Sequence, residues 1–244
     1  MKTVAIVQAR MGSTRLPGKV LQDLAGQPVL ARVIDRTRRA NTLDEVVVAT
    51  TINPSDEPIV ELCRSRGLPC FRGSENDLLD RYYRAAARFS ADIVVRITSD
   101  CPLIEPIIID RVVDEYIQLA GEVDYASNTN PHRTFPRGLD TEVMPFETLA
   151  WAWKEDGDPA RREHVTPYIY GNPDRFSIHL VKHEEDLSFH RWVVDTPEDL
   201  EFLRLIYDHF ARDDFTWTEA LTLLEQNPEW LEINRHVRQK DIGY

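Results

Sequence analysis

The stretch Ala9-Arg10-Met11-Gly12-Ser13-Thr14-Arg15-Leu16-Pro17-Gly18-Lys19 interleaves three fixed cations with two glycines, a proline and two hydroxyl residues. Glycine lets backbone N–H groups approach a ligand closely, and Arg and Lys neutralise anionic oxygens, so the chemistry suits a polyphosphate. Two carboxylates answer it from far along the chain. Asp100 and Asp195 each follow a run of β-forming residues, Ile93–Ile97 and Arg191–Val194. Mg²⁺ is commonly held by one or two protein carboxylates together with substrate phosphates and water, so two Asp residues facing a triphosphate form a minimal site. Both also suit a helix N-cap, Asp195 before Thr196-Pro197-Glu198 especially. On the sequence the two readings stay open, as does a merely solvated basic loop.

The elements that must position these groups are legible from hydrophobic periodicity. Val4-Ala5-Ile6-Val7 is an apolar run expected of a strand buried on both faces of a parallel sheet. A helix from Pro28 to about Arg39, a strand Glu45–Thr50, and a helix from Asp56 to Arg66 capped by Ser55 and stopped by Gly67 follow. Then come a strand Leu68–Phe71, a helix Asp77–Phe89, a strand Ala91–Ile97 and a helix Pro106–Leu119. This alternation predicts a Rossmann-like, doubly wound α/β sheet whose ligands lie beyond the carboxyl ends of the strands. The second half is less regular. Strands are expected at Asp124–Ser127, Thr141–Met144, Phe176–Lys182 and Arg191–Val194, with helices at 146–154, 197–211, 216–226 and 228–238. Trp217 and Trp230 read as core packing.

A chain of 244 residues with 42% hydrophobic content fits one large domain, 1–244, with an irregular insertion at roughly 128–185. The net charge is −12, yet residues 1–40 carry +6. That balance argues against a nucleic-acid binder and for a small anionic ligand at a local basic site. No stretch approaches the roughly 18 apolar residues of a membrane span, and the N-terminus lacks the pattern of a signal peptide. Cys63, Cys70 and Cys101 form no CxxC pair, which suits a reducing cytoplasm.

Neither a Walker-type loop nor a G-x-G-x-x-G fingerprint is present: Val20, not a hydroxyl residue, follows Lys19. The segment from Arg10 to Lys19, with its R-x-x-S-x-R-x-P-x-K skeleton, resembles the signature of the sugar-activating cytidylyltransferases that use 3-deoxy-manno-octulosonate (KDO) or sialate, and in particular their spore-coat polysaccharide branch. The resemblance spans about two-thirds of the chain, strongest in residues 1–110 and returning at 137–145, 161–170 and 191–200. It implies a nucleotide-diphosphosugar transferase fold, CTP and Mg²⁺ as ligands, and transfer of CMP to a sugar with release of pyrophosphate. It implies triphosphate binding by Arg10, Arg15 and Lys19, and metal binding by Asp100 and Asp195. Arg15, Lys19, Asp100 and Asp195 are thus the expected catalytic set. Gln8, Ala9, Gly12, Ser13 and Thr98 complete the nucleotide site, with Gly73 and Ser74 reading the base.

For the acceptor, the candidates are Arg137, Asp140, Glu142 and His164. Arg137 suits the carboxylate of an acidic sugar such as a nonulosonic acid, and equally reads as a solvated loop arginine; His164 before a helix also reads as a cap or surface residue. Ser99-Asp100-Cys101-Pro102 departs from the Gly-Asp-Glu-Pro run of the KDO enzymes, whereas Arg137–Glu142 and Arg162–Pro167 follow the spore-coat branch. A homodimer through the insertion is a further implication. The rival readings are a glycosyltransferase using a preformed nucleotide-sugar and a non-catalytic nucleotide-sensing module. The first usually carries D-x-D, where this chain has Thr98-Ser99-Asp100.

Overall fold

The computed structural model describes residues 1–239. One sheet holds seven strands: β1 (Thr3–Gln8), β2 (Glu45–Thr51), β3 (Cys70–Gly73), β4 (Ile93–Thr98), β5 (Tyr125–Ser127), β6 (Glu142–Pro145) and β7 (Ile178–Leu180). Their spatial order is β3-β2-β1-β4-β6-β5-β7. The first four strands are mutually parallel. β6 runs antiparallel to both β4 and β5, and β7 lies parallel to β5. The sheet is therefore mostly parallel and doubly wound, as expected.

β1 is central, and its composition follows from that place. Val4 and Ile6 pack with Leu79, Tyr82 and Ala86 of helix α3 on one face. Ala5 and Val7 pack on the other face with Val33 and Ile34 and with Ile109 and Val113. A strand buried on both sides has no solvent face to spare for a polar residue. The helices are α1 (Val29–Thr37), α2 (Glu57–Ser65), α3 (Leu78–Arg88), α4 (Pro106–Gln118), α5 (Phe146–Glu155), α6 (Pro159–Arg162), α7 (Pro167–Tyr170), α8 (Pro197–Phe210) and α9 (Trp217–Gln226). Trp217 is buried and Trp230 packs partly buried against the same cluster, as core residues. No helix among the described residues is long and apolar enough to cross a membrane.

From β1 the chain winds outward to β2 and β3, then crosses back over α3 to β4 on the other side of β1. The carboxyl ends of β1 and β4 therefore flank a topological switch point, where a ligand crevice opens. The basic loop leaves β1 there, and Asp100 lies just beyond β4.

Three expectations need correction. Asn53, not Ser55, caps the turn before α2: its side chain accepts from Ser55 N at 2.9 Å, and the 3-10 turn Pro54–Asp56 precedes the helix. Residues 191–194 form no strand: Arg191 alone makes an isolated parallel bridge with Arg137. Trp192 N donates to Arg137 O and Val194 N to Asp100 O, so this segment ties two loops together instead of joining a ladder. Finally, the expected helix 228–238 is a short 3-10 turn at Pro228–Glu232. Asn234 is then drawn inward, its amide donating to Arg191 O and Asp199. The stretch 128–185, expected as an insertion, contributes β6 and β7 to the same sheet.

Candidate active site

The loop after β1 is pinned from below. Buried Asp56 accepts from Met11 N at 2.7 Å and from Thr50 Oγ1 at 3.2 Å. Gly18 adopts φ +65° and donates to Met11 O, a left-handed geometry that glycine takes without Cβ strain. That turn sets the next residue, Lys19, at the crevice.

Lys19 Nζ donates to Asp100 Oδ2 at 2.7 Å and to Asp195 Oδ1 at 2.8 Å. Two carboxylates distant in sequence thus close on one ammonium. Burial opposes the charge on Lys19, but Asp100 and Asp195 outweigh it and hold its pKa above the ordinary lysine value. For Asp100, burial works in the other direction, and the Lys19 charge with its hydrogen bond overrides it to hold the carboxyl below its usual range. Asp195 Oδ2 meets Arg15 Nη2 at 2.8 Å and Arg191 Nη2 at 3.0 Å. Arg191 grips Asp199 with two bonds of 2.8 and 2.9 Å. Asp199 is fully buried and also accepts from Asp195 N and Thr196 N.

Neither carboxylate caps a helix. Thr196 caps α8 in a capping box with Asp199, while α4 starts after Glu105. Asp100 and Asp195 are left facing the cavity, and the capping alternative falls away.

The crevice encloses about 870 Å³. Every residue expected at the nucleotide lines it except Gly73 and Ser74. Gly73 is buried at the end of β3, where an added Cβ would meet Phe71 Cε1 at 2.8 Å. Ser74 Oγ accepts from Asp77 N at the start of α3. Glu75 and Leu78 of the same connection reach the cavity in their stead. Arg10 stands on the rim, 3.1 Å from Glu163 with both side chains exposed. Gln8 and Thr98 face each other in register at the ends of β1 and β4.

All four acceptor candidates line the same cavity, but they differ in freedom. Asp140 is clamped by both Arg133 nitrogens and by Gly138 N. Glu142 is paired with Arg96 and accepts from Tyr125 OH at 2.8 Å. These two carboxylates are occupied in shaping the wall. Arg137 makes no side-chain hydrogen bond or ion pair among the described residues, and burial together with neighbouring Arg133 lowers its pKa. That environment favours an incoming anion. Burial and the Arg96 charge lower the pKa of His164, which favours its neutral form.

Residues 4–229 match the family model described as cytidylyltransferase. The chain belongs to the cytidylyltransferase family. It is therefore a CTP-dependent nucleotidyltransferase, which sets aside the glycosyltransferase and sensing readings. It is 41% identical over 242 residues to an uncharacterized protein of Methanocaldococcus jannaschii, covering 98% of this chain and 97% of that one. It is 30% identical to the spore coat polysaccharide biosynthesis protein SpsF of Bacillus subtilis, covering 92% and 94%. A solved cytidylyltransferase from Leptospira borgpetersenii superposes with a TM-score of 0.92 at 34% identity, covering 99% of this chain and all of that one.

Arg81, which lines the cavity, and several residues that support its walls had no clear signal in the sequence. Asp56 read as a helix residue, Arg191 as part of a strand, and Arg81 of α3 as one more cation on an amphipathic helix. Asp199 alone was signposted, by the Thr-x-x-Asp spacing of a capping box.

Proposed function

We propose that this cytidylyltransferase transfers CMP from CTP to a hydroxyl of an acidic sugar, such as a nonulosonic acid, for surface polysaccharide synthesis. The observation that carries the reading is Lys19 held between Asp100 and Asp195 at the switch point, in one cavity with the unpaired Arg137. The sugar hydroxyl attacks the α-phosphorus, and the bond from that phosphorus to the pyrophosphate oxygen breaks. Arg15 and Lys19 neutralise charge growing on the phosphates, and Arg10 meets the triphosphate at the rim. Arg137 holds the acceptor carboxylate, while Asp140 and Glu142, fixed by their arginines, shape the pocket around it.

The donor set fits Mg²⁺. Asp100 and Asp195 close on one ammonium at the crevice, so two carboxylates stand together there, and the remaining positions would fall to phosphates and water. Asp100 and Asp195 would hold the ion, which would supply charge neutralisation at the phosphate oxygens. Lys19, held beside both carboxylates at the crevice, faces the place of the triphosphate.

Pyrophosphate release from CTP, scanned across sugars with and without a carboxylate, tests the reading. Release is expected with at least one sugar acid; release confined to neutral or phosphorylated sugars would contradict the acidic acceptor.

The same reading includes a homodimer through residues 128–185. Trp151 on α5 is 56% exposed there, with Arg175 5.5 Å above its ring. Sedimentation at micromolar concentration should show two chains together; a species of 28.2 kDa alone would contradict pairing. Three free thiols support a cytoplasmic setting.

A further inference from the structure

The sugar hydroxyl that attacks phosphorus must give up its proton, and the cavity offers few groups free to take it. Its carboxylates are all engaged. Asp100 and Asp195 hold Lys19, while Asp140 and Glu142 hold Arg133 and Arg96. Glu163 meets Arg10, and Glu75 accepts from the Asn53 amide at 2.9 Å. A carboxylate already holding a cation or an N–H is a weaker base for it. Two imidazoles also line the cavity. His132 is exposed to solvent, whereas His164 is half-buried and its ring makes no hydrogen bond among the described residues.

The backbone beside His164 is held at a cost. Val165 has φ +70°, a left-handed conformation that a β-branched residue rarely adopts. Thr166 N donates to His164 O at 2.9 Å, which closes a three-residue γ-turn on that valine. Both sides of the turn are fixed. Val165 and Thr166 are buried just before α7, and His164 N donates to Arg161 O at 2.9 Å. Arg162 is anchored to Asp77 and to the carbonyls of Trp153 and Asp156. Strain of this kind persists only where the surroundings over-determine it, and it gathers at sites of function. Here the turn carries the buried chain into α7 and leaves His164 on the cavity wall. Four charges act on its ring: Arg10 and Glu163 from the rim given to the triphosphate, Arg96 and Glu142 from the wall given to the acceptor. His164 therefore stands between the two substrates.

We propose that His164 is the general base of the transfer. One imidazole nitrogen takes the proton of the attacking sugar hydroxyl as the bond from its oxygen to the α-phosphorus forms. The bond from that phosphorus to pyrophosphate breaks, and pyrophosphate leaves with the electron pair. The imidazolium then returns its proton to water. This rests on the transferase reading above. Burial first, then Arg96 and Arg10, lower the His164 pKa and outweigh Glu163 and Glu142. The proton-accepting form therefore persists to lower pH than in a free histidine.

The test is the pH dependence of pyrophosphate release from CTP, with sialate and KDO among the acceptors, for the unaltered chain, His164→Gln and His164→Ala. CTP binding is measured by calorimetry alongside. In the unaltered chain the rate should fall at acid pH along a single-proton limb centred below the ordinary histidine value, because the protonated ring accepts nothing. His164→Gln should lower kcat about 10²- to 10⁴-fold, the range of general-base catalysis, and leave CTP affinity within about twofold. The acid limb should vanish with it. Added imidazole should restore turnover in His164→Ala in proportion to its neutral form. A variant that keeps its turnover, or that loses only affinity for the sugar, would overturn the proposal. So would an acid limb that survives in His164→Gln. If neither variant folds, the unaltered profile decides: the limb supports the base, and a flat profile overturns it. An unaltered chain that releases no pyrophosphate with any sugar acid would overturn the transferase reading itself, a result distinct from the variant outcomes.

Discussion

Lys19→Ala should lower turnover by about 10²-fold or more, the scale of removing one preorganised electrostatic donor from a transition state. The ammonium is placed in advance by the left-handed turn at Gly18 and by two carboxylates, so no reorganisation is needed when phosphate charge builds. Stability should change far less. The Lys19 pairs open onto the cavity on one side, with Asp100 about a quarter exposed, and Asp195 keeps Arg15 and Arg191 after the substitution. Loss of such partly solvated pairs costs about 1 kcal/mol or less, a shift of a few degrees in Tm. The pH response has a defined sign. Lys19 depresses the Asp100 pKa, so this pairing stabilises the fold above the ordinary carboxylate range and is lost as pH falls through the depressed value. In Lys19→Ala that added acid resistance should be missing. A variant that unfolds at room temperature, or one that keeps full activity, would contradict the role given to Lys19.

Asp100→Asn and Asp195→Asn should each reduce kcat by about 10²-fold or more while the chain stays folded, with the charge removed and the side-chain size kept. Capping is not at stake, because Thr196 and Asp199 complete the box at α8 without Asp195. The two variants should still differ in stability. Asp195 answers three cations, Lys19, Arg15 and Arg191, and its amidation leaves Arg15 and Arg191 with weaker partners. Asp100 answers Lys19 alone among them. Asp195→Asn should therefore melt lower than Asp100→Asn. The double variant should fall little below the worse single one, as groups acting as a unit do. Multiplying losses would instead assign the two carboxylates to separate tasks.

What was legible in the chain follows physical lines. β1 announced itself because burial on both faces demands an unbroken apolar run, and the phosphate-type loop followed because glycine and fixed cations are local signals. Asp100 and Asp195 could be placed at one sheet edge although residues 191–194 are not a ladder strand, since Val194 still bonds Asp100 O. Pairings across long separations were hidden. Nothing local says that Arg96 will claim Glu142, or that Arg133 will claim Asp140, so these acids read as free acceptor ligands. The reason for a glycine at position 73 was hidden in the same way: its lack of a side chain serves a close approach by Phe71 and Arg81, contacts that only the fold reveals. The cap slipped by two residues because Asn53 supplies the accepting oxygen and Ser55 the N–H it satisfies.

The Mg²⁺ dependence of pyrophosphate release, measured at saturating CTP for the unaltered chain, Asp100→Asn and Asp195→Asn, tests the central claim most directly. Two carboxylates sharing a hard cation with the triphosphate predict that each folded variant needs far more Mg²⁺ to reach half its maximal rate, on the order of tenfold or greater. An unchanged half-saturating Mg²⁺ concentration in both folded variants would contradict the assignment of Asp100 and Asp195 to the metal.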